Sequence, residues 1–381
     1  MNDHKTPLRE LFLFFLRLGV SAFGGPAAHI ALMEREAVER RGWLSREGFL
    51  DLVGACNLLP GPSSTQVAMA LGYNRAGWMG LAVAGVCFIL PASVATLALA
   101  WAYVHYGRLP QAQGLLYGAK PVMVAIVVQA IWRLGRMALR NWLLFAIGFV
   151  CFAAVAAGAP PILVLLVSGG LVALIKAGRS LRGYAARGFA VLPVWMGGAG
   201  SMGTAGGVGL LPLCLVFLKL GVVVFGSGYV LLAFLQTDLV DRLHWVTQAQ
   251  LLDAVTAGQI TPGPMFATAT FLGYLLHGYT GAAMATIAIF LPSFLMAGAV
   301  GAWSGRIRKS APAAAFLDGV NAAAVALMAS VSLALGRAAL VDGWTWALGL
   351  AGAVLLVRFK LNATWLILAG AVIGILLRGH A

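Results

Sequence analysis

The sequence predicts an all-α polytopic membrane protein made of two homologous halves in an inverted repeat, each with about five crossing helices plus a Pro-Gly-Pro re-entrant hairpin. Three observations carry that reading. Of 381 residues, 61% are hydrophobic and 10% charged, against roughly 25% charged in an ordinary soluble domain. Apolar runs such as "NWLLFAIGFVCFAAVAAG" recur along the chain, each long enough to cross a ~30 Å hydrocarbon layer as a helix. Finally, the chain is written twice. "FLRLGVSAFGG" (15–25) matches "FLKLGVVVFGS" (217–227) at an offset of 202, as do Trp43 and Trp245, Asp51 and Asp253, and the two Pro-Gly-Pro strings. After a one-residue slip, Gly72-Tyr73 matches Gly273-Tyr274 and Leu90-Pro91 matches Leu291-Pro292.

The elements follow in order. "MNDHKTPLRE" holds no apolar core and no small-residue cleavage site, so no signal peptide is expected. A first helix then runs into a glycine break at Phe23-Gly24-Gly25-Pro26, followed by a basic loop and the segment "CNLLPGPSSTQ" (56–66). Four apolar spans come next, at about 77–104, 118–137, 142–157 and 160–177. The second half repeats the plan, with spans at about 279–303, 318–337, 344–357 and 363–378. The expected division is a first repeat at 1–178, a linker at 179–210 and a second repeat at 211–381.

The net charge of +14 sits mostly in short loops, where the positive-inside tendency accounts for it without nucleic acid. The same charges orient the halves. Arg35, Arg40, Arg41 and Arg46 follow the first helix, against Arg242 in the second copy; Arg108 alone stands where the second copy has Arg306, Arg308 and Lys309. Opposite bias in matched loops implies opposite orientation and an odd number of crossings per half, so one segment must fail to cross. Pro-Gly-Pro is the candidate, although Lys5 and Arg9 fall on the wrong side. The scattered Cys56, Cys87, Cys151 and Cys214 read as small buried hydrophobes. The six histidines are scattered too, no P-loop or HExxH is present, and neither a metal, a cofactor nor an enzyme is expected.

Proline has no backbone N–H and pushes the residue before it out of helical geometry. Pro60-Gly61-Pro62 and Pro262-Gly263-Pro264 therefore break helices, and broken backbone at membrane depth belongs where protein or a water-filled cavity covers it. Half-helix ends expose amides that suit anions. Asn57, Ser63, Ser64, Gln66, Gln259 and Thr261 are the expected polar lining; a plain packed kink is the alternative. Arg17 and Lys219 share one repeat position inside apolar helices; a symmetric pair of cations beside two half-helix ends reads as a site for a divalent anion, with snorkelling as the alternative. Asp51 and Asp253 read as helix-start residues in preference to carriers of coupling protons. Lys120 lines a cavity or an interface, and His29 reads as a packing or hydrogen-bonding residue.

"FLRLGVSAFGGPAAH", "LPGPSSTQVAMALGY" and "FILP", with "TPGP" and "LGY" in the second copy, resemble the chromate ion transporter family in its long, two-domain form. The resemblance implies a gradient-driven carrier in the cytoplasmic membrane that exports chromate, with sulfate as a mimic. It places functional positions at Arg17, Gly24, Gly25, Pro26, His29, Pro60, Gly61, Pro62 and Gln66, then Lys219, Gly226, Gln259, Pro262, Gly263 and Pro264, with Ser227 beside them. Family members commonly carry glutamine before the first turn, where this chain has Asn57. A channel, or a carrier of another anion, is the alternative. The small-residue-rich spans also permit a homodimer.

Overall fold

The computed structural model describes residues 7–23, 25–180, 208–225, 228–307, 311–359 and 361–378. Gly24, Gly226, Ser227 and nearly all of the expected linker lie outside the described residues. Among those described, every element is helical, with one isolated bridge between Pro60 and Phe225. The order is α1 (Leu8–Ser21), α2 (Pro26–Met33), a π-helical turn (Glu34–Arg40), α3 (Arg46–Asn57), α4 (Ser63–Tyr106), α5 (Pro110–Ala138), α6 (Trp142–Ala156) and α7 (Pro161–Ser180). The same sequence of elements then returns. It comprises α8 (Leu210–Val223), α9 (Val230–Leu235), a π-helical turn (Gln236–Arg242), α10 (Gln248–Ile260), a short 3-10 turn (Met265–Ala267), α11 (Thr268–Ile307), α12 (Ala311–Ala339), α13 (Gly343–Arg358) and α14 (Ala363–Arg378).

Local chemistry sets the boundaries. Ser45 and Thr247 stand in extended backbone and accept N–H groups of the first turns of α3 and α10, Thr247 through a reciprocal pair with Gln250. The helix-start reading of Asp51 and Asp253 is therefore corrected: each lies within its helix, and the hydroxyls at Ser45 and Thr247 already hold the free donors. Asn141 and Asp342 cap α6 and α13 in the same way. Pro110 and Pro161 open α5 and α7, where a missing N–H removes no helix bond.

The long helix after the first Pro-Gly-Pro turn is interrupted at Ala76 (φ −147°) and Gly77 (φ +60°). The chain reverses there, so the backbones of Gly72 and Gly80 touch, which a continuous helix rising ~12 Å over that interval would forbid. Gly278 (φ +60°) and the contact of Gly273 with Gly281 repeat the device in α11. Each Pro-Gly-Pro turn thus leads into a short half-helix that folds back on a long one.

Four helices are long and apolar enough to span a bilayer (Ser63–Tyr106, Pro110–Ala138, Met265–Val300 and Ala314–Ala339), and five shorter apolar helices accompany them. Phe149, Trp142, Leu174, Leu295 and Trp365 are large apolar side chains left facing outward, an arrangement suited to lipid. The chain is a multi-pass membrane protein.

The two stretches of sequence do not form two separate bodies. α5 packs against α13 and α14, and α12 packs against α6 and α7. α4 and α11 pack on each other, with α1 on α4 and α8 on α11. Small residues make these approaches possible. A Cβ on Gly118 would collide with the Gly370 carbonyl, and one on Gly319 with Ser168.

Candidate functional site

The two helix breaks and the two Pro-Gly-Pro turns meet at one place. The Gly61 N–H donates to the Val224 carbonyl at 2.6 Å, and the Gly263 N–H donates to the Ala22 carbonyl at 2.8 Å. Val224 and Ala22 follow the ends of α8 and α1. Each turn is therefore threaded into the helix break of the opposite stretch. Both glycines hold left-handed backbone, φ +110° and +95°, which side chains resist. They are also enclosed. A Cβ would lie 2.8 Å from Gln66 Nε2 and Ser293 Oγ at Gly61, and 2.9 Å from the Ala92 methyl at Gly263.

Around the first turn, Ser63, Ser64, Thr65 and Gln66 are all buried. Gln66 Nε2 donates to the Pro60 carbonyl at 2.5 Å. Thr65 Oγ1, Gln66 Oε1 and Ser293 Oγ are buried without a hydrogen-bond partner, although buried polar groups ordinarily find one. His29 is buried, with Nε2 3.0 Å from the Ala22 carbonyl and Nδ1 3.2 Å from Ser64 Oγ. Because a carbonyl only accepts, Nε2 carries the proton and Nδ1 accepts from Ser64. Its ring meets Phe88 edge-on at 5.6 Å, so His29 packs and hydrogen-bonds as read.

Gly25, Pro26, Tyr229, Gln259, Thr261 and Gly263 line a cleft of about 10 Å³ at this junction. That is room for about one water. Tyr229 shares a hydrogen bond with Gln259, and Gln259 Nε2 lies 3.3 Å from Met265 Sδ. Thr261 Oγ1 donates to the Gly258 carbonyl at 3.1 Å and lies 3.2 Å from Thr96 Oγ1. The structure thus gathers Gly25, Pro26, Gln259, Thr261 and Gly263 of the expected site and adds Tyr229. Pro62 and Pro264 flank their glycines as buried helix-entry residues, and Pro60 and Pro262 are half-buried.

Other expected residues lie apart from the cleft lining. Asn57 ends α3 and is exposed, unlike its half-buried repeat partner Gln259. Arg17 is exposed on α1, its carbonyl accepting from Ser21 Oγ at 2.8 Å. The Lys219 ammonium is held by the Asp238 carboxylate at 2.7 and 3.0 Å, and Asp238 also faces Arg242 at 3.5 Å. Glu36, the repeat counterpart of Asp238, pairs with Arg40 at 2.8 Å and Arg41 at 3.2 Å. Asp51 is half-buried in α3. Asp253 is 4% exposed and pairs with Lys120 at 2.9 Å. Lys120 therefore stands at an interface between the two stretches of chain. Tyr229 was missed because nothing along the chain marks it; proximity to Gly25 comes from the packing of α9.

The profile of the family described as Chromate transporter matches this chain twice, over residues 9–174 and 211–375. The chromate transport protein of Cupriavidus metallidurans is 33% identical over 97% of this chain and 93% of its own length. The probable chromate transport protein of Synechococcus elongatus is 33% identical over 90% of this chain and 88% of its own. The chromate transport protein of Pseudomonas aeruginosa is 32% identical over 86% of this chain and 81% of its own. No solved structure matches the chain. The double match falls on the two runs of elements described above, and the chain, a transport protein and not an enzyme, belongs to the chromate transporter family.

Proposed function

We propose that the chain is a secondary carrier that moves an oxyanion, chromate foremost, out of the cell across the cytoplasmic membrane, with the anion held where the Pro-Gly-Pro turns meet. The observation that carries this reading is the reciprocal threading of Gly61 onto Val224 and Gly263 onto Ala22. It brings two half-helix starts, with their outward-pointing amides, to one buried junction. The names of the relatives point to chromate as cargo, and sulfate, with the same tetrahedral oxygen shell, is the expected competitor.

On this reading the halves 1–178 and 211–381 are homologous and inverted, and each Pro-Gly-Pro segment is a re-entrant hairpin. Gln259, Thr261, Tyr229 and the amide at Gly25 form the anion's immediate surroundings, with Gly263 held beside them by its bond to Ala22 and with Gln66 and Ser293 behind the first turn. Arg17 and Lys219 set the positive potential along the approach; Lys219 reaches the anion only by giving up Asp238. A cleft of about 10 Å³ does not admit a tetrahedral oxyanion, so the junction must open to pass one. That favours a carrier with alternating access over a standing channel.

The test is uptake of labelled chromate into inside-out vesicles by wild type, Gln259→Ala and Arg17→Gln, with and without a proton gradient and with excess sulfate. Gradient-dependent uptake that sulfate competes and Gln259→Ala weakens supports the reading. Well-inserted wild type that takes up no chromate would sink the cargo assignment.

A further inference from the structure

A second cavity lies apart from the cleft, bounded by the end of α4, the start of α5, α10 and the end of α12, with a volume of about 330 Å³. That is within the usual range for a small-ligand site, roughly 300–1,000 Å³. Its polar lining is Tyr103, Gln113, Tyr117, Lys120 and Asp253. Asp253 sits at its wall: the Tyr103 hydroxyl donates to one oxygen at 3.0 Å, and Lys120 Nζ lies 2.9 Å from the other, an ion pair in which that oxygen accepts no hydrogen bond. A buried ion pair of this kind is weak evidence for stability, since hydrophobic residues would serve as well. Its placement on a cavity wall asks for another account.

We propose that this cavity is a second oxyanion site whose occupancy is linked to a proton: Lys120 and Tyr103 donate to the anion, and Asp253 holds those donors until it is protonated. The proposal rests on the reading of the chain as an oxyanion carrier and adds the coupling element to it.

The chemistry balances. With Asp253 ionised the pair is neutral, and the carboxylate presents to Lys120 and Tyr103 the same kind of oxygen that an oxyanion would present. One proton from solvent, taken up on the carboxyl oxygen, removes that negative charge and leaves the ammonium uncompensated. A lysine ammonium and a tyrosine hydroxyl, freed together, are a charged and a neutral donor for an anionic oxygen. Expulsion of the anion returns both donors to Asp253 and the proton to solvent.

The surrounding elements leave this exchange to the named groups. Asp253 is the sole charged residue of α10, and its carboxylate interacts with Lys120 and Tyr103. From α5, Tyr117 also lines the cavity, but its hydroxyl is bound to Asp342 at 2.6 Å, and Arg378 of α14 lies 3.2 Å from that carboxylate. From the end of α12, Ala338 and Ala339 line the wall, and Arg337 is exposed. The adjoining π-helical turn spends Asp238 on Lys219 and Arg242, and Asp241 on Gln236. On α11, His277 is exposed and bonded to Thr280, and Tyr274 meets Tyr279 edge-on.

α10 also connects the two places. Gln259, which lines the cleft, follows Asp253 on the same helix, about 9 Å further along the axis. The Lys120–Asp253 pair pins α10 to α5, so releasing it frees the helix that carries Gln259. The repeat does not supply a second copy. Lys120 is matched by Asn321 and Asp253 by the half-buried Asp51.

The experiment is calorimetric titration of the purified full-length protein in detergent with sulfate and with chromate, from acidic to alkaline pH. Wild type should bind more tightly as pH falls, by about tenfold per unit where Asp253 is mostly ionised. Asp253→Asn, a standing mimic of the protonated carboxyl, should lose that slope and bind at alkaline pH at least about tenfold more tightly than wild type. Asp253→Glu should keep the slope. Lys120→Gln should lose the pH-dependent component of the binding and keep that of the cleft, and Lys120→Gln with Asp253→Asn, which leaves no buried lone charge, should fold and still lack that component. If Asp253→Asn matches wild type in affinity and slope, the pair is a structural latch and the proposal fails. Vesicle uptake separates the two readings. Chromate uptake without any effect at Asp253 removes the second site alone, whereas a gain in Asp253→Asn binding without chromate uptake removes the cargo and keeps the site.

Discussion

The two runs of elements agree in backbone and disagree in charge. Both have a helix break after the first helix, a π-helical turn, a capped helix into Pro-Gly-Pro and a chain reversal at a left-handed glycine, Gly77 or Gly278. Yet Lys219 is ion-paired to Asp238 while Arg17 stands exposed, and Asp253 holds Lys120 and Tyr103 while Asp51 is half-buried. His29 ties Ala22 to Ser64 where the second copy has Leu231. The lesson is that proline and glycine at matched positions fix a shared backbone, while the unshared side chains give each copy its own ion pairs and hydrogen bonds.

The sharpest way to break the comparison is at its most symmetric point. Gly263→Ala would push a methyl onto the rigid Ala92 methyl, whereas Gly61→Ala meets the movable ends of Gln66 and Ser293. Both force a left-handed residue, so each should lower stability by about 1–3 kcal/mol, with overpacking adding about 1–3 kcal/mol at Gly263 alone. Thermal unfolding in detergent should rank Gly263→Ala well below Gly61→Ala; equal losses would mean the two turns are packed alike. Next comes Lys219→Gln, which leaves Asp238, 4% exposed, with Arg242 at 3.5 Å. A loss of about 1–3 kcal/mol is expected from the under-satisfied carboxylate, against less than about 0.5 kcal/mol for exposed Arg17→Gln. Chemical unfolding of both variants measures the gap, and parity would place Arg17 in a contact of its own.

His29→Ala should cost about 1–2 kcal/mol for the two lost hydrogen bonds, while Leu231→Ala tests bulk alone; the pair sharpens how far the first junction depends on the His29–Ser64 clamp. The smallest effect is expected at Tyr117→Phe. The Tyr117 hydroxyl is the largest of several interactions that hold the Asp342 carboxyl below its ordinary value of 3.8. A depressed carboxyl stabilises the fold above that value and stops doing so as pH falls through the lower, folded one. The variant should therefore trail wild type slightly near neutral pH and converge with it in acid, read by melting temperature against pH. A constant gap would put the effect in packing.

Much of the plan was legible because proline, glycine and apolar run length act along the chain. Pro60-Gly61-Pro62, Pro262-Gly263-Pro264 and the break before Pro26 could be placed without a structure, since their effect on backbone geometry is local. The partners of charged residues could not. Tyr103 and Asp253 are 150 residues apart, and nothing in either neighbourhood tells which cation reaches the carboxylate. The same limit explains the misreading of Asp253 as a helix-start residue. Proximity to a break was visible, but the cap hydroxyl at Thr247 and the cavity beside α5 come from packing.

The crossing of α5 onto α13 and α14, and of α12 onto α6 and α7, has a bearing on how such a chain is made. During synthesis α5 emerges long before its cover, and Gly118 has no Gly370 to meet until the last helix is complete. The first stretch must wait in the bilayer with its seam open until α14 covers α5. A chain holding one such unit alone would end with that seam still open, and a second copy offering the same faces would be needed to fill it.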